Sequence, residues 1–186
     1  MIQIQKISSS TKQRDSIQSA AFEQPLDLLL SCHDKIIHFS SALYKIAIAL
    51  QQEGWNDDYA VSADQIRHYF NIAGPEHHLD EEQHLFPAIQ ALPDDSLDKK
   101  SDISTLIQRM ISEHSKTDAL WLLLDKMLAQ RSEDFITLKK LSHQFKTEMH
   151  EHARIENDII FPYARQHISV AEFKIMGLAI AQRRHH

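Results

Sequence analysis

Two stretches of this chain repeat one set of chemically capable residues. His77-His78-Leu79-Asp80-Glu81-Glu82-Gln83-His84-Leu85-Phe86-Pro87 returns seventy-five residues later as His152-Ala153-Arg154-Ile155-Glu156-Asn157-Asp158-Ile159-Ile160-Phe161-Pro162. Both copies read His-x-x-x-Glu-x-x-x-x-Phe-Pro. On a helix, residues four apart sit one turn above each other, so each copy aims an imidazole and a carboxylate at one point. A duplicated pair of this kind points to a metal site.

Two further histidines, His33 and His114, lie inside apolar helical patterns. With a rise of about 1.5 Å per residue, the chain leaves His33 by roughly 30 Å and returns to His77 by roughly 22 Å. It leaves His114 by roughly 24 Å and returns to His152 by roughly 29 Å. Four helices can therefore bring His33, His77, Glu81, His114, His152 and Glu156 into one layer. The single cysteine, Cys32, excludes a thiolate cluster and a structural zinc site of the cysteine type. Mixed imidazole and carboxylate suits iron, manganese or catalytic zinc. Six ligands over-supply one ion; two ions bridged by both carboxylates fit better, and iron is the usual user of such a set. Two six-coordinate ions need roughly twelve positions. The six side chains and one oxo or hydroxo bridge leave roughly two of these for outside ligands.

The elements that would position these groups follow from the patterning. The 186 residues suit one domain, and three glycines, five prolines and little strand-like alternation indicate an all-α fold. Residues 1–20 are polar and read as a flexible N-terminal arm; 21–186 form the domain. Pro25 opens a first helix that runs to Glu53 and stops at Gly54. Ser62-Ala63-Asp64-Gln65 reads as a capping box for the second, with a kink or restart expected at Gly74-Pro75 and an end near Leu92-Pro93. After a polar loop from Asp94 to Lys100, a third helix runs from Ile103 to Leu128. A fourth starts at Ser132-Glu133-Asp134 and reaches Tyr163. Ser169-Val170-Ala171-Glu172 caps a short fifth helix ending near Arg184. The expected architecture is an up-down-up-down four-helix bundle with an extra C-terminal helix outside it.

Other residues receive plainer readings. Cys32 is a packing residue; His78 and His84 face solvent or support the ligands from outside. Asp118, one turn beyond His114, reads as an acceptor for a histidine N–H, with a terminal or water-bridged ligand as the alternative. Phe70, Trp121 and Phe145 share faces with ligands and read as core that also walls the site from water. Glu148 reads as exposed. His185 and His186 are native or a tag remnant and stay outside the site. A net charge of -6 and a pI near 6.1 give no footprint for nucleic acid or anionic membrane. No apolar run suits a membrane span or a signal peptide, so a cytoplasmic location is the default.

The chain resembles the hemerythrin-like family of His-His-Glu cation-binding four-helix bundles. The matching residues are Cys32-His33-Asp34-Lys35-Ile36, Tyr69-Phe70, His77 to Glu82 with Leu85-Phe86-Pro87, Glu113-His114, Leu120-Trp121, His152, Glu156 and Phe161-Pro162. The tail from Met176-Gly177 through Arg183-Arg184 also resembles bacterial members. The resemblance spans roughly residues 26–184. It implies a non-haem di-iron centre handling O2, NO or peroxide, with His33, His77, Glu81, His114, His152 and Glu156 as ligands, and a redox partner it does not identify. Oxygen-carrying hemerythrins have a histidine where this chain has Asp118. Their last carboxylate is an aspartate five residues after its histidine, whereas Glu156 follows His152 by four. Both departures resemble bacterial di-iron proteins of nitrosative stress and iron-centre repair, which usually carry a cysteine-containing N-terminal domain that these residues do not include. The resemblance thus implies sensing or stress response, with removal of peroxide or nitric oxide, or iron-centre repair, as the enzymatic alternative.

Overall fold

The computed structural model describes residues 25–93 and 97–184. Residues 1–24, which include the N-terminal arm, residues 94–96 and His185-His186 lie outside the described residues. All regular structure among the described residues is helical: α1 (Pro25–Glu53), α2 (Asp57–Asp80), α3 (Phe86–Gln90), α4 (Leu97–Ala129), α5 (Phe135–Ile155), α6 (Phe161–His167) and α7 (Val170–Arg184). No helix among them is long and apolar enough to cross a membrane.

Local chemistry sets the boundaries. Gly54, at φ 73°, ends α1 in the left-handed conformation that glycine adopts without a Cβ clash, and its N–H closes on the Leu50 carbonyl at 3.0 Å. Asn56 then caps α2 by accepting from the Tyr59 N–H at 2.9 Å. The helix thus begins before the expected box at Ser62, because a better-placed cap with Asp57 and Asp58 behind it lies upstream. The expected restart at Pro75 does not occur, and α2 runs through it. Gly74 removes one obstacle, the clash of the proline ring with the Cβ of the residue before it, while the bond Pro75 cannot donate to the Asn71 carbonyl is forgone. The backbone is already helical from Leu97, so the polar loop is shorter than expected. Asp134 caps α5 through the Thr137 N–H, and Ser169 and Glu172 form the expected capping box before α7.

Each Phe-Pro is preceded by a π turn, Glu81–Leu85 in one case and Glu156–Ile160 in the other. The N–H groups of Phe86 and Phe161 bond five residues back, to the carbonyls of Glu81 and Glu156. Pro87 and Pro162 cannot donate an α-type bond and crowd the carbonyl four residues earlier, which favours the wider turn. Two rods thus run on through α2–α3 and α5–α6.

α1 packs against α2 and α5, and α4 packs against the same two helices, so four rods close a bundle. α7 lies on α1 and on the first π turn. Two apolar clusters fill the interior. One holds Leu29, Phe86, Met110, Ile160 and Phe161, and the other Leu43, Ile66, Phe70, Leu124 and Phe145. Their order alternates: α1 and α4 pass from the first cluster to the second, and α2–α3 and α5–α6 from the second to the first. At the boundary of the two clusters each rod carries its buried histidine.

Candidate metal centre

The six residues singled out by spacing converge at that boundary, all buried. α1 supplies His33, α2 His77, α4 His114 and α5 His152; Glu81 and Glu156 each open a π turn. His33 Nε2 lies 3.1 Å from Glu156 Oε2 and 3.9 Å from Glu81 Oε1. His77 Nε2 is 3.4 Å from Glu81 Oε1, and His114 Nε2 is 3.5 Å from Glu81 Oε2. His152 Nε2 is 3.1 Å from Glu156 Oε2 and from His114 Nε2. Two groups of candidate donors result, each with its donor atoms within 4.8 Å of one another: His33, His77, Glu81 and Glu156, and Glu81, His114, His152 and Glu156. Both glutamates belong to both groups.

A bound cation fits these residues. His33 Nε2, His77 Nε2 and all four carboxylate oxygens of Glu81 and Glu156 are buried without a hydrogen-bond partner. A buried polar atom left unsatisfied costs about 1–3 kcal/mol, more when charged, so six around one point mark a place built for positive charge. Burial and then the Glu156 charge push Glu81 well above the usual carboxylate range. Burial also pushes on Glu156, but His152 and His33 outweigh it and hold its carboxyl well below that range. Burial pulls His77 well down and takes His114 to about 2. Burial likewise opposes charge on His152, yet Glu156 and Glu113 outweigh it and raise it to about 9. His77, His114 and Glu156 thus stand in the protonation states a metal requires, while His152 and Glu81 would each release a proton as it binds.

A family model described as the hemerythrin HHE cation-binding domain matches residues 24–164. The chain belongs to this family. It is also similar to an uncharacterized protein of Haemophilus influenzae, 26% identical over 167 residues that cover 90% of this chain and 94% of the relative.

In this hemerythrin domain the residue after each motif glutamate supports a histidine of the other hairpin. His33 Nδ1 donates to Asn157 Oδ1 at 2.6 Å, and His114 Nδ1 to Glu82 Oε1 at 2.6 Å. The phenylalanines follow the same exchange: Phe161 stacks on His33 with centroids 5.2 Å apart, and Phe86 on His114 at 6.1 Å. His152 Nδ1 reaches Glu113 Oε2 at 3.4 Å. With Nδ1 so occupied, Nε2 of each ring is the nitrogen turned to the centre. Sequence reasoning assigned Asn157, Glu82 and Glu113 no role. Their signal was available only as adjacency: Glu81-Glu82, Glu156-Asn157 and Glu113-His114.

His78 is buried, as a group supporting the ligands from outside rather than a solvent-facing one; its ring stacks on His114 with centroids 3.9 Å apart. Its Nδ1 lies 3.3 Å from Asp118 Oδ1, so Asp118, whose side chain is 57% exposed, faces a histidine nitrogen rather than either donor group. Cys32 is buried and belongs to neither group. A cavity of about 290 Å³ reaches His78, the ring stacked on His114, and is lined by residues including Phe70, Thr117, Asp118, Trp121 and Met149 but by none of the six donors. Phe70, Trp121 and Phe145 wall it, with ring centroids 4.8–5.5 Å apart. Trp121 is held there by donating to Asn71 Oδ1 at 2.8 Å.

Proposed function

We propose that this chain is a non-haem di-iron protein that binds O2, NO or peroxide, in sensing or stress response. Its proposed ligands are His33, His77, Glu81, His114, His152 and Glu156. The observation that carries the reading is the sharing of Glu81 and Glu156 by two donor groups, each with two histidines of its own. One cation would leave half of these histidines idle; two cations bridged by the glutamates use all six side chains. Oxygen and nitrogen donors without thiolate favour iron among redox-active metals. The alternating order of the two apolar clusters along the four rods supports an up-down-up-down bundle, with α7 outside it. When bound, a pair of irons would supply reversible electron transfer to a small ligand at open coordination positions.

The chain's own residues do the rest. Asn157, Glu82 and Glu113 orient the imidazoles. The aromatic wall of Phe70, Trp121 and Phe145 limits water, and the cavity beside it has room for a diatomic molecule or peroxide. One observation favours an enzymatic second reading, removal of peroxide or nitric oxide or repair of iron centres. Asp118 turns to His78 and solvent, so the His114–His152 group has two nitrogen donors and not three. Anaerobic reduction followed by separate additions of O2, NO and peroxide, watched optically, tests both. A stable, reversible O2 adduct supports binding without turnover. Rapid oxidation with catalytic loss of peroxide supports the enzyme. Two irons and an unchanged spectrum in His77→Ala or Glu81→Ala would refute the ligand assignment.

A further inference from the structure

We infer that Arg183 and Arg184, at the end of α7, are positioning residues for one of the two donor groups, that of His33, His77, Glu81 and Glu156. The inference rests on the two-metal reading and adds to it an inequality between the ions. Arg183 donates to the Glu76 backbone carbonyl at 2.8 Å and pairs with the Glu76 carboxylate. It also pairs with Asp80 Oδ1, while Arg184 takes Asp80 Oδ2 and reaches Cys32 Sγ at 3.9 Å. Asp80 is completely buried, so both of its oxygens depend on these two guanidinium groups.

The three residues touched share one property. Cys32 precedes His33, Glu76 precedes His77, and Asp80 precedes Glu81. The arginine pair thus grips the residues beside His33 and His77, which belong to that group alone, and beside Glu81, which both groups share, on two different helices. Met176 and Ile180 of α7 sit in the same apolar cluster as Leu29 and Phe86, which fixes where the arginines arrive. The residues before His114 and His152 also pair with arginines, Glu113 with Arg109 and Glu151 with Arg154, but each of those pairs stays within one helix. The Arg183–Arg184 lock instead ties α7 to two other helices, and its Asp80 anchor is buried. α7 lies beyond residues 24–164, so the two arginines of the lock are outside the matched family segment while their partners are inside it.

The full-length chain, loaded anaerobically with ferrous iron, is challenged with excess chelator and iron release is followed in time. The wild-type chain should hold two irons and release them in two phases. In Arg183→Ala/Arg184→Ala one phase should accelerate by about tenfold or more, as loss of outer support to metal ligands generally does, while the other keeps its rate. Arg183→Lys/Arg184→Lys should recover part of the loss, and helical circular dichroism should be retained. If the double alanine variant fails to fold, Arg184→Gln, which leaves Arg183 on Asp80, should show the same selective acceleration. Unchanged release with only a lower melting temperature would reduce the clamp to a structural staple. Equal acceleration of both phases would overturn its selectivity. A wild-type chain that holds fewer than two irons would overturn the two-metal reading and this inference with it.

Discussion

His33 and Asn157, 124 positions apart, meet through a 2.6 Å hydrogen bond from Nδ1 to Oδ1 that fixes which imidazole nitrogen faces the centre. Replacing Asn157 with Leu removes the acceptor without touching a donor to the metal. Metal affinity should fall about 10–100-fold, measured by competition with a chelator of known affinity. An unchanged affinity would mean that Phe161 stacking alone orients the ring.

Sharing of the glutamates predicts unequal losses. Glu156→Ala removes a donor from both groups and should leave the chain without either ion, whereas His114→Ala should leave about one ion per chain, in the His33–His77 group. Metal analysis after gel filtration reads the difference, with circular dichroism to show that both variants fold. Equal losses would indicate that the two ions bind only together.

Phe145 is almost fully buried between Phe70 and Trp121. Phe145→Ala should destabilise the fold by about 3–5 kcal/mol, seen as a lower urea midpoint with an unchanged slope. Because Phe145 donates nothing to the centre, the folded variant should still take up its metal.

Arg131, in the connection between α4 and α5, reaches Asp64 on α2 at 2.7 Å, and its guanidinium also lies 5.2 Å over the ring of Trp55 in the connection between α1 and α2. The hydrogen bond from Arg131 holds the Asp64 carboxyl below its usual range, and Arg67 adds to it. A lowered folded-state pKa contributes stability that is present above about pH 4 and is lost as pH falls through the lowered value. Exposure keeps the contribution under about 1 kcal/mol. Asp64→Asn should therefore melt at most about 2–4 °C lower than the wild-type chain at pH 7. The two curves should converge in strong acid, where both lack the charge. A difference that persisted there would point to packing rather than charge.

The six buried donors were legible because helix periodicity converts i,i+4 spacing into a shared face, and because interruptions by Gly54 and Asp134 bracket the helices. The start of α2 was misplaced because a capping box at Ser62 and a single cap at Asn56 compete, and only the backbone shows which one is used. Pro75 raised the expectation of a restart because it cannot donate to the carbonyl four residues back, yet the helix continues, and Gly74 spares the proline ring the clash with a preceding Cβ. Asn157, Glu82 and the arginine pair escaped because they act across helices, and helical periodicity carries no register between separate rods. The π turns hid them further by rotating the residues after each glutamate away from their α-helical azimuth.

Those turns have an architectural consequence. A π turn is what an α-helix becomes when one residue is inserted and absorbed locally. Taking a residue out of 82–85 or 157–160 would let the rod close into uninterrupted α-helix with everything downstream near its present azimuth. Rewinding the same five residues as α-helix would instead swing everything downstream by about 100° around the axis, and Phe86 would leave the His114 ring and Phe161 the His33 ring. The wider winding of each five-residue segment is therefore a phase setting: it lets one half of the rod seat the core while the other half turns its aromatic ring onto the opposite hairpin.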